Sequence, residues 1–329
     1  MRRIGIHGAG LVSAFAGGRG LGAAFTLTAT TVGAGNVTIH RLTPSGGTCT
    51  ISWGDGSTTV VADGSVANHV HAYGGAGTWS ISVSNPALIT QLDIHDAQLS
   101  GLNTAQLAGS AITYFICYSL ATPCTVRTAD MVGWMPTNWY LYAMPAGTYV
   151  IDSADMAGWT PTNWQLYAMP AGTYNIDSAD MVGWTPTYWY LLSMPAGTYS
   201  INSAHMAGWT PAYWWLASIH VASLTLTVAS ANFAGWTTCT NMRADNNSLL
   251  QAQVDEILYG MYCASIAPRT AAGGTINVAG SNQAPSGVYQ AAAACPVDAA
   301  TPGKEVAHEL LNDGCGVGFP VWATVTFTP

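Results

Sequence analysis

Hydrophobic positions along this chain repeat on two periods at once. Locally, apolar and polar residues alternate, as in Phe25-Thr26-Leu27-Thr28-Ala29 and Val37-Thr38-Ile39-His40-Arg41-Leu42. That is the signature of strands with one face buried. Over a longer range, Ala129-Asp130-Met131-Val132-Gly133-Trp134 returns every 25 residues, at Ala154, Ala179 and Ala204. A weaker copy, Ala231 to Trp236, follows after 27. A fixed period of this size marks stacked coils, each too small to bury its own apolar side and each covering the next.

One unit predicts its own elements. In Tyr174-Asn175-Ile176-Asp177-Ser178-Ala179-Asp180-Met181, Tyr174 and Ile176 alternate as a strand. The chain then bends, and Ala179 and Met181 are expected to point inward. Thr185-Pro186 reads as the opening of a short helical or 3₁₀ piece, because proline suits a first turn. Trp189, Leu191 and Leu192 would cover its inner side, and Pro195-Ala196-Gly197 turns the chain back. Residues 251–263 place Val254, Ile257, Leu258 and Met261 at helical spacing, which predicts a helical cap.

The unit Tyr-x-Ile-x-x-Ala-x-Met resembles the leucine-rich-repeat pattern Leu-x-Leu-x-x-Asn-x-Leu. Leu92 to Leu99 and Met242 to Leu249 look closer to it, the second keeping Asn247. This resemblance covers residues 87–265 and implies a solenoid. Upstream, over residues 26–86, Trp53-Gly54-Asp55-Gly56-Ser57, then His69-Val70-His71-Ala72-Tyr73, then Gly77-Thr78-Trp79-Ser80-Ile81-Ser82-Val83 resemble the polycystic-kidney-disease-type immunoglobulin-like sandwich. The resemblance implies a tight turn at Gly54-Asp55-Gly56 and a spacer role in surface and secreted proteins. Residues 266–329 read as a small C-terminal β module. The order of helical cap, Asn277 to Gln290, then Glu309 to Asp313 is similar to C-terminal regions of repeat proteins of bacteriophages and their hosts, which implies a tail or virion setting. Residues 1–25 are Gly-rich and are expected to form an arm that orders on docking. The expected fold is therefore mainly β: an immunoglobulin-like sandwich, a solenoid of 25-residue coils, and a terminal β module.

Composition sharpens this. Charged residues make up 7% of the 329, against roughly 25% in ordinary soluble domains. Such a surface suits a protein inside a larger assembly or outside the cytoplasm. The net charge of −8, without a basic stripe, argues against nucleic-acid binding. No apolar run reaches the roughly 18 residues that span a bilayer. The N-terminal stretch, interrupted by Arg19, makes a poor signal peptide, so the expectation is unconventional export or release within a particle. The seven cysteines are odd in number, so at least one stays unpaired within the chain. Cys117–Cys124 and Cys295–Cys315 could each close a small loop, or all could be buried thiols. No zinc spacing occurs among them.

Candidate chemistry is sparse. Asp130, Asp155 and Asp180 fall at equivalent positions, as do Asp152 and Asp177, and stacking would set like charges about 5 Å apart. Calcium could offset that, but His205 and Asn202 interrupt the columns, so turn capping is the preferred reading. Asp93, His95 and Asp96 lack a companion nucleophile, and His69, His71 and Asp55 read as turn and strand residues rather than metal ligands. No catalytic residue, metal or cofactor is assigned, and the usual hydrolase, phosphate-loop and dinucleotide motifs are absent. The tryptophans say more. Trp134, Trp159, Trp184, Trp209 and Trp236 form one column, read as core. Trp139, Trp164, Trp189 and Trp214 form a second, beside the variable Tyr140, Gln165, Tyr190 and Trp215. These eight are the expected binding surface, since exposed aromatic rows mark contacts with glycans or proteins.

The expected function is a non-catalytic structural or adhesive protein of a phage virion, such as a tail fibre, spike or tail-associated protein. Its expected partners are other virion or filament subunits, including copies of itself, and a host-surface glycan or protein. The alternative is a secreted or cell-surface bacterial adhesin, filament-forming in one version. A polysaccharide-degrading enzyme is disfavoured because the carboxylates are few and regularly repeated.

Overall fold

A computed structural model describes residues 24–220, 223–266, 273–291, 295–316, 318 and 321–329. The expected N-terminal arm lies outside them except for its last two residues. The described chain is mainly strands, with two α-helices, and its parallel strands follow one another in series.

The first seven strands are β1 (Phe25–Thr31), β2 (Gly35–Ile39), β3 (Arg41–Pro44), β4 (Cys49–Ser52), β5 (Thr58–Val61), β6 (His69–Tyr73) and β7 (Gly77–Val83). They pair antiparallel, and Phe25, Leu27, Ile51, Ile81 and Val83 are fully buried between layers. Asp55 closes the turn between β4 and β5 by accepting from the Ser57 N–H at 2.9 Å and its hydroxyl at 2.6 Å. The Tyr73 hydroxyl donates to the Trp53 carbonyl at 2.6 Å, pinning β6 beneath that turn.

The next strands are β8 (Ile89–Ile94), β9 (Leu99–Ser100), β10 (Tyr114–Tyr118), β11 (Thr125–Arg127), β12 (Asn138–Tyr142) and β13 (Thr148–Asp152). They continue as β14 (Asn163–Tyr167), β15 (Thr173–Asp177), β16 (Tyr188–Leu192), β17 (Thr198–Asn202), β18 (Tyr213–Ala217), β19 (Leu224–Thr227) and β20 (Asn241–Arg243). After these come α1 (Gln251–Ile266), β21 (Thr275–Val278), α2 (Gly303–Asn312) and β22 (Thr324–Phe327). Each repeat contributes one strand to each of two sheets, parallel throughout except where β3 joins β8 antiparallel. One has five strands in the order β11-β13-β15-β17-β19; the other has ten, β22-β21-β20-β18-β16-β14-β12-β10-β8-β3.

The local physics of one coil explains this. In β14, Trp164 and Leu166 point inward while Asn163, Gln165 and Tyr167 face out. Where a helical piece is expected after Thr185-Pro186, the structure has strand β16 instead. The triplet Trp-x-Leu alternates at period two, and the buried Pro186 ends the preceding turn rather than opening a helix. Gly172 permits the next corner, because a Cβ there would sit 2.9 Å from the Tyr149 carbonyl oxygen of the coil below. Tyr174 and Ile176 are then buried in β15, and Ser178–Met181 makes a 3₁₀ turn. The inward residue of that turn is Ser178, not the expected Ala179, which is exposed. Gly183, at φ 87°, supplies the left-handed residue that re-aims the chain so that Trp184 enters the core.

Polar groups weld one coil to the next. Ser153 Oγ accepts from the Asp177 N–H at 2.8 Å and donates to Asp180 at 2.5 Å. Thr104 and Thr128 do the same toward Asp130 and Asp155, each at 2.7 Å. Ser178 meets His205 Nδ1 at 2.9 Å, and Ser203 accepts from the Asn232 amide at 2.9 Å. Asp152 and Asp177 instead cap their 3₁₀ turns, accepting from Ala154 and Ala179 N–H. Both aspartate columns are thus engaged by donors.

The expected boundaries dissolve in the sheets. Strand β3 pairs with β8, and β9 pairs with β1, so the N-terminal layers share both sheets and core with the first coil. Likewise β21 and β22 extend the ten-stranded sheet rather than forming a separate C-terminal module. Helix α1 lies where the helical cap is expected and packs on the last 3₁₀ turn, with Gly260 against Phe233. Cys295 and Cys315 form a disulfide, whereas Cys117 and Cys124 are buried thiols.

Candidate binding face

In the ten-stranded sheet the coils are in register, so Trp139, Trp164, Trp189 and Trp214 are direct cross-strand neighbours. Their rings stack at 5.5–5.7 Å with interplanar angles of 12–17°. All four are at most 2% exposed. The expectation that they form part of a binding surface is corrected: they fill the core beside Trp134, Trp159, Trp184 and Trp209. The physical reason is parity, since within a strand Trp and the Leu two residues on must share the buried side.

Their neighbours occupy the opposite face. Tyr140, Gln165, Tyr190 and Trp215 are half-buried and form a central outward row, running from Asp93 and Ile116 to Arg243. A flanking row runs Tyr114, Asn138, Asn163, Tyr188, Tyr213 and Asn241. The third runs His95, Tyr118, Tyr142, Tyr167, Leu192 and Ala217. Sequence reasoning missed both flanking rows. Reading Asn163 to Tyr167 as a strand would have shown them, because residues two apart share a face.

The rings on this face are immobilised by one another. His40, His95, Tyr118, Tyr142 and Tyr167 form a continuous stack with centroid spacings of 3.4–4.5 Å. Tyr190 stacks on Trp215 at 4.3 Å, the Arg243 guanidinium lies 5.3 Å from the Trp215 ring, and Arg41 lies 4.3 Å from Tyr114. Amides tie the rings together: Trp215 Nε1 donates to Asn241 at 2.7 Å and Asn163 donates to Asn138 at 2.6 Å. Burial raises the phenols of Tyr140 to about 12, and those of Tyr142 and Tyr190 higher still, so they stay neutral donors. Because the rings stack face to face along the rod, they offer edges and hydroxyls to solvent. Polar side chains at the two ends are partnered within the chain: His95 with Asp93 at 2.5 Å, and Arg243 with Asp245 at 2.8 Å.

The remaining candidates serve local structure. Asp55 is held down at about 2, first by its Ser57 hydrogen bonds and then by His71 at 2.7 Å. Ser57 donates to Asp55 and lies 3.4 Å from His71, so its proton is committed to the carboxylate. Asp96 accepts from the Thr38 and Gln98 N–H groups, while Asp93 faces His95. His69 is buried at 8% exposure. Among the described residues no group of three or more His, Cys, Asp or Glu is placed to hold a metal. None of their helices is long and apolar enough to cross a membrane. A cavity of about 210 Å³ beside α1 contains Asp255, Glu256 and Tyr259, and its carboxylates accept from the Ser286 and Ser230 N–H groups.

Comparison with protein-family models, with curated proteins and with solved structures found no match to this chain.

Proposed function

We propose that the chain is a non-catalytic structural and adhesive component of an extracellular assembly, specifically a phage tail fibre, spike or tail-associated protein. The observation that carries this reading is the three-row Tyr/Trp face, rigid before any partner arrives and mounted on stacked coils. Preorganised aromatic edges cost little entropy on docking, and Tyr, Trp and Arg are the residues on which protein contacts concentrate. The finer architecture belongs to the same proposal. The antiparallel layers of β1–β7 support an immunoglobulin-like sandwich, whereas the second strand in each coil departs from a leucine-rich-repeat unit.

The secreted or surface adhesin is the second reading. The Cys295–Cys315 disulfide favours it, because such bonds persist in oxidising compartments. Two measurements test the proposal. Mass spectrometry of particles released by lysis of the producing culture should find the chain in the particle fraction; the adhesin reading places it on cells or in filaments. Labelled full-length protein should bind assembly subunits, host cells or their surface polysaccharides, and Tyr190→Ser with Trp215→Ser should abolish this. Turnover of any polysaccharide, or binding indifferent to that pair, would refute it.

A further inference from the structure

The outward rows of the ten-stranded sheet are complementary to themselves. Take β14 as the centre and lay a second copy face to face, related by a two-fold axis running along that strand. Strand β12 then opposes β16 of the other copy, β10 opposes β18, and β8 opposes β20. In the central row this sets Asp93 against Arg243, Ile116 against Trp215, Tyr140 against Tyr190, and Gln165 against itself. In the row holding the ring stack, Tyr142 opposes Leu192 and Tyr118 lies over the covered Ala217, while in the other flanking row Asn138 opposes Tyr188 and Tyr114 opposes Tyr213. Asp93 thus faces Arg243, and the three positions of β14 that meet their own copies on the axis, Asn163, Gln165 and Tyr167, are all uncharged.

We infer that this face is the interface of a two-fold dimer, its occupant a second copy of this chain. The inference rests on the reading of the face as a contact surface and names the partner. Identical patches suit isologous contact only where like charges do not coincide, and the reversed stacking order of the coils avoids that here. The size fits as well. Seven strands at ~4.8 Å spacing and three outward positions give roughly 600 Å² per copy, or roughly 1,200 Å² in total. That is the lower end of specific interfaces. A sugar-stacking platform would need ring faces open to solvent, and here those faces cover each other.

Sedimentation velocity of the full chain tests this. The wild type should sediment as a dimer of 34.3 kDa chains at micromolar concentration. Gln165→Lys and Gln165→Glu should each weaken self-association at least tenfold, since each sets like charges together on the axis. An equimolar mixture of the two should recover the dimer, because opposite charges then meet. Thr198→Lys, on the exposed side of the other sheet, should leave association unchanged, and circular dichroism checks that each variant is folded. A monomeric wild type, a dimer indifferent to both Gln165 variants, or a mixture that fails to re-associate would overturn the inference. A monomer that still binds cells or polysaccharide through Tyr190 and Trp215 would overturn the dimer while leaving the binding reading intact.

Discussion

Ser153 has no exposed surface and holds two coils together with one hydroxyl. In Ser153→Ala the Asp177 N–H loses its acceptor, and an unpaired buried donor costs about 1–3 kcal/mol. Asp180 also loses a charge-assisted hydrogen bond, worth about 1.5–3 kcal/mol. Asp180 is half-exposed and water replaces part of that, so the expected net loss is about 2–4 kcal/mol. Ser153→Thr should cost under about 1 kcal/mol, because Thr104 and Thr128 make the same contacts two and one coils earlier. Chemical denaturation with linear extrapolation reads both, and hydrogen exchange at the Asp177 amide should accelerate in the alanine variant alone. A Ser153→Ala protein within about 0.5 kcal/mol of wild type would refute the idea that this hydroxyl ladder joins the coils.

Trp189→Ala should cost about 3–5 kcal/mol in the same denaturation assay, because its ring is sandwiched between Trp164 and Trp214; a loss below about 1 kcal/mol would place it outside the core. Burial lowers the imidazoles of His40 and His69 from 6.5, so the unfolded chain protonates first as pH falls. Their contribution is intact above pH 6.5 and is lost as pH falls through the folded values; a denaturation midpoint in His40→Asn, His69→Asn that keeps the wild-type pH slope would contradict this. Burial lifts the thiols of Cys49 and Cys124 to about 11 and that of Cys117 further. Iodoacetamide at pH 8 should therefore leave all three unmodified in the folded protein and modify them in denaturant, as read by peptide mass spectrometry.

The spacing of near-identical units determined by itself that this chain stacks coils, because a repeat that cannot bury its own apolar side must share it. Helical spacing in residues 251–263 likewise marked α1, and the Gly54-Asp55-Gly56 turn was legible from its residues. Which side each tryptophan takes was not. Trp189 reads equally well as the inner side of a helix or of a strand, since a short apolar triplet fits both periods. Cross-strand pairing chose the strand, which buried Trp139, Trp164, Trp189 and Trp214 and turned Tyr140, Gln165, Tyr190 and Trp215 outward. The union of β3 with β8, and of β21 with β20, was also decided only in three dimensions. Hydrogen-bonded edges join segments far apart in sequence, and nothing in either segment's own pattern names its partner.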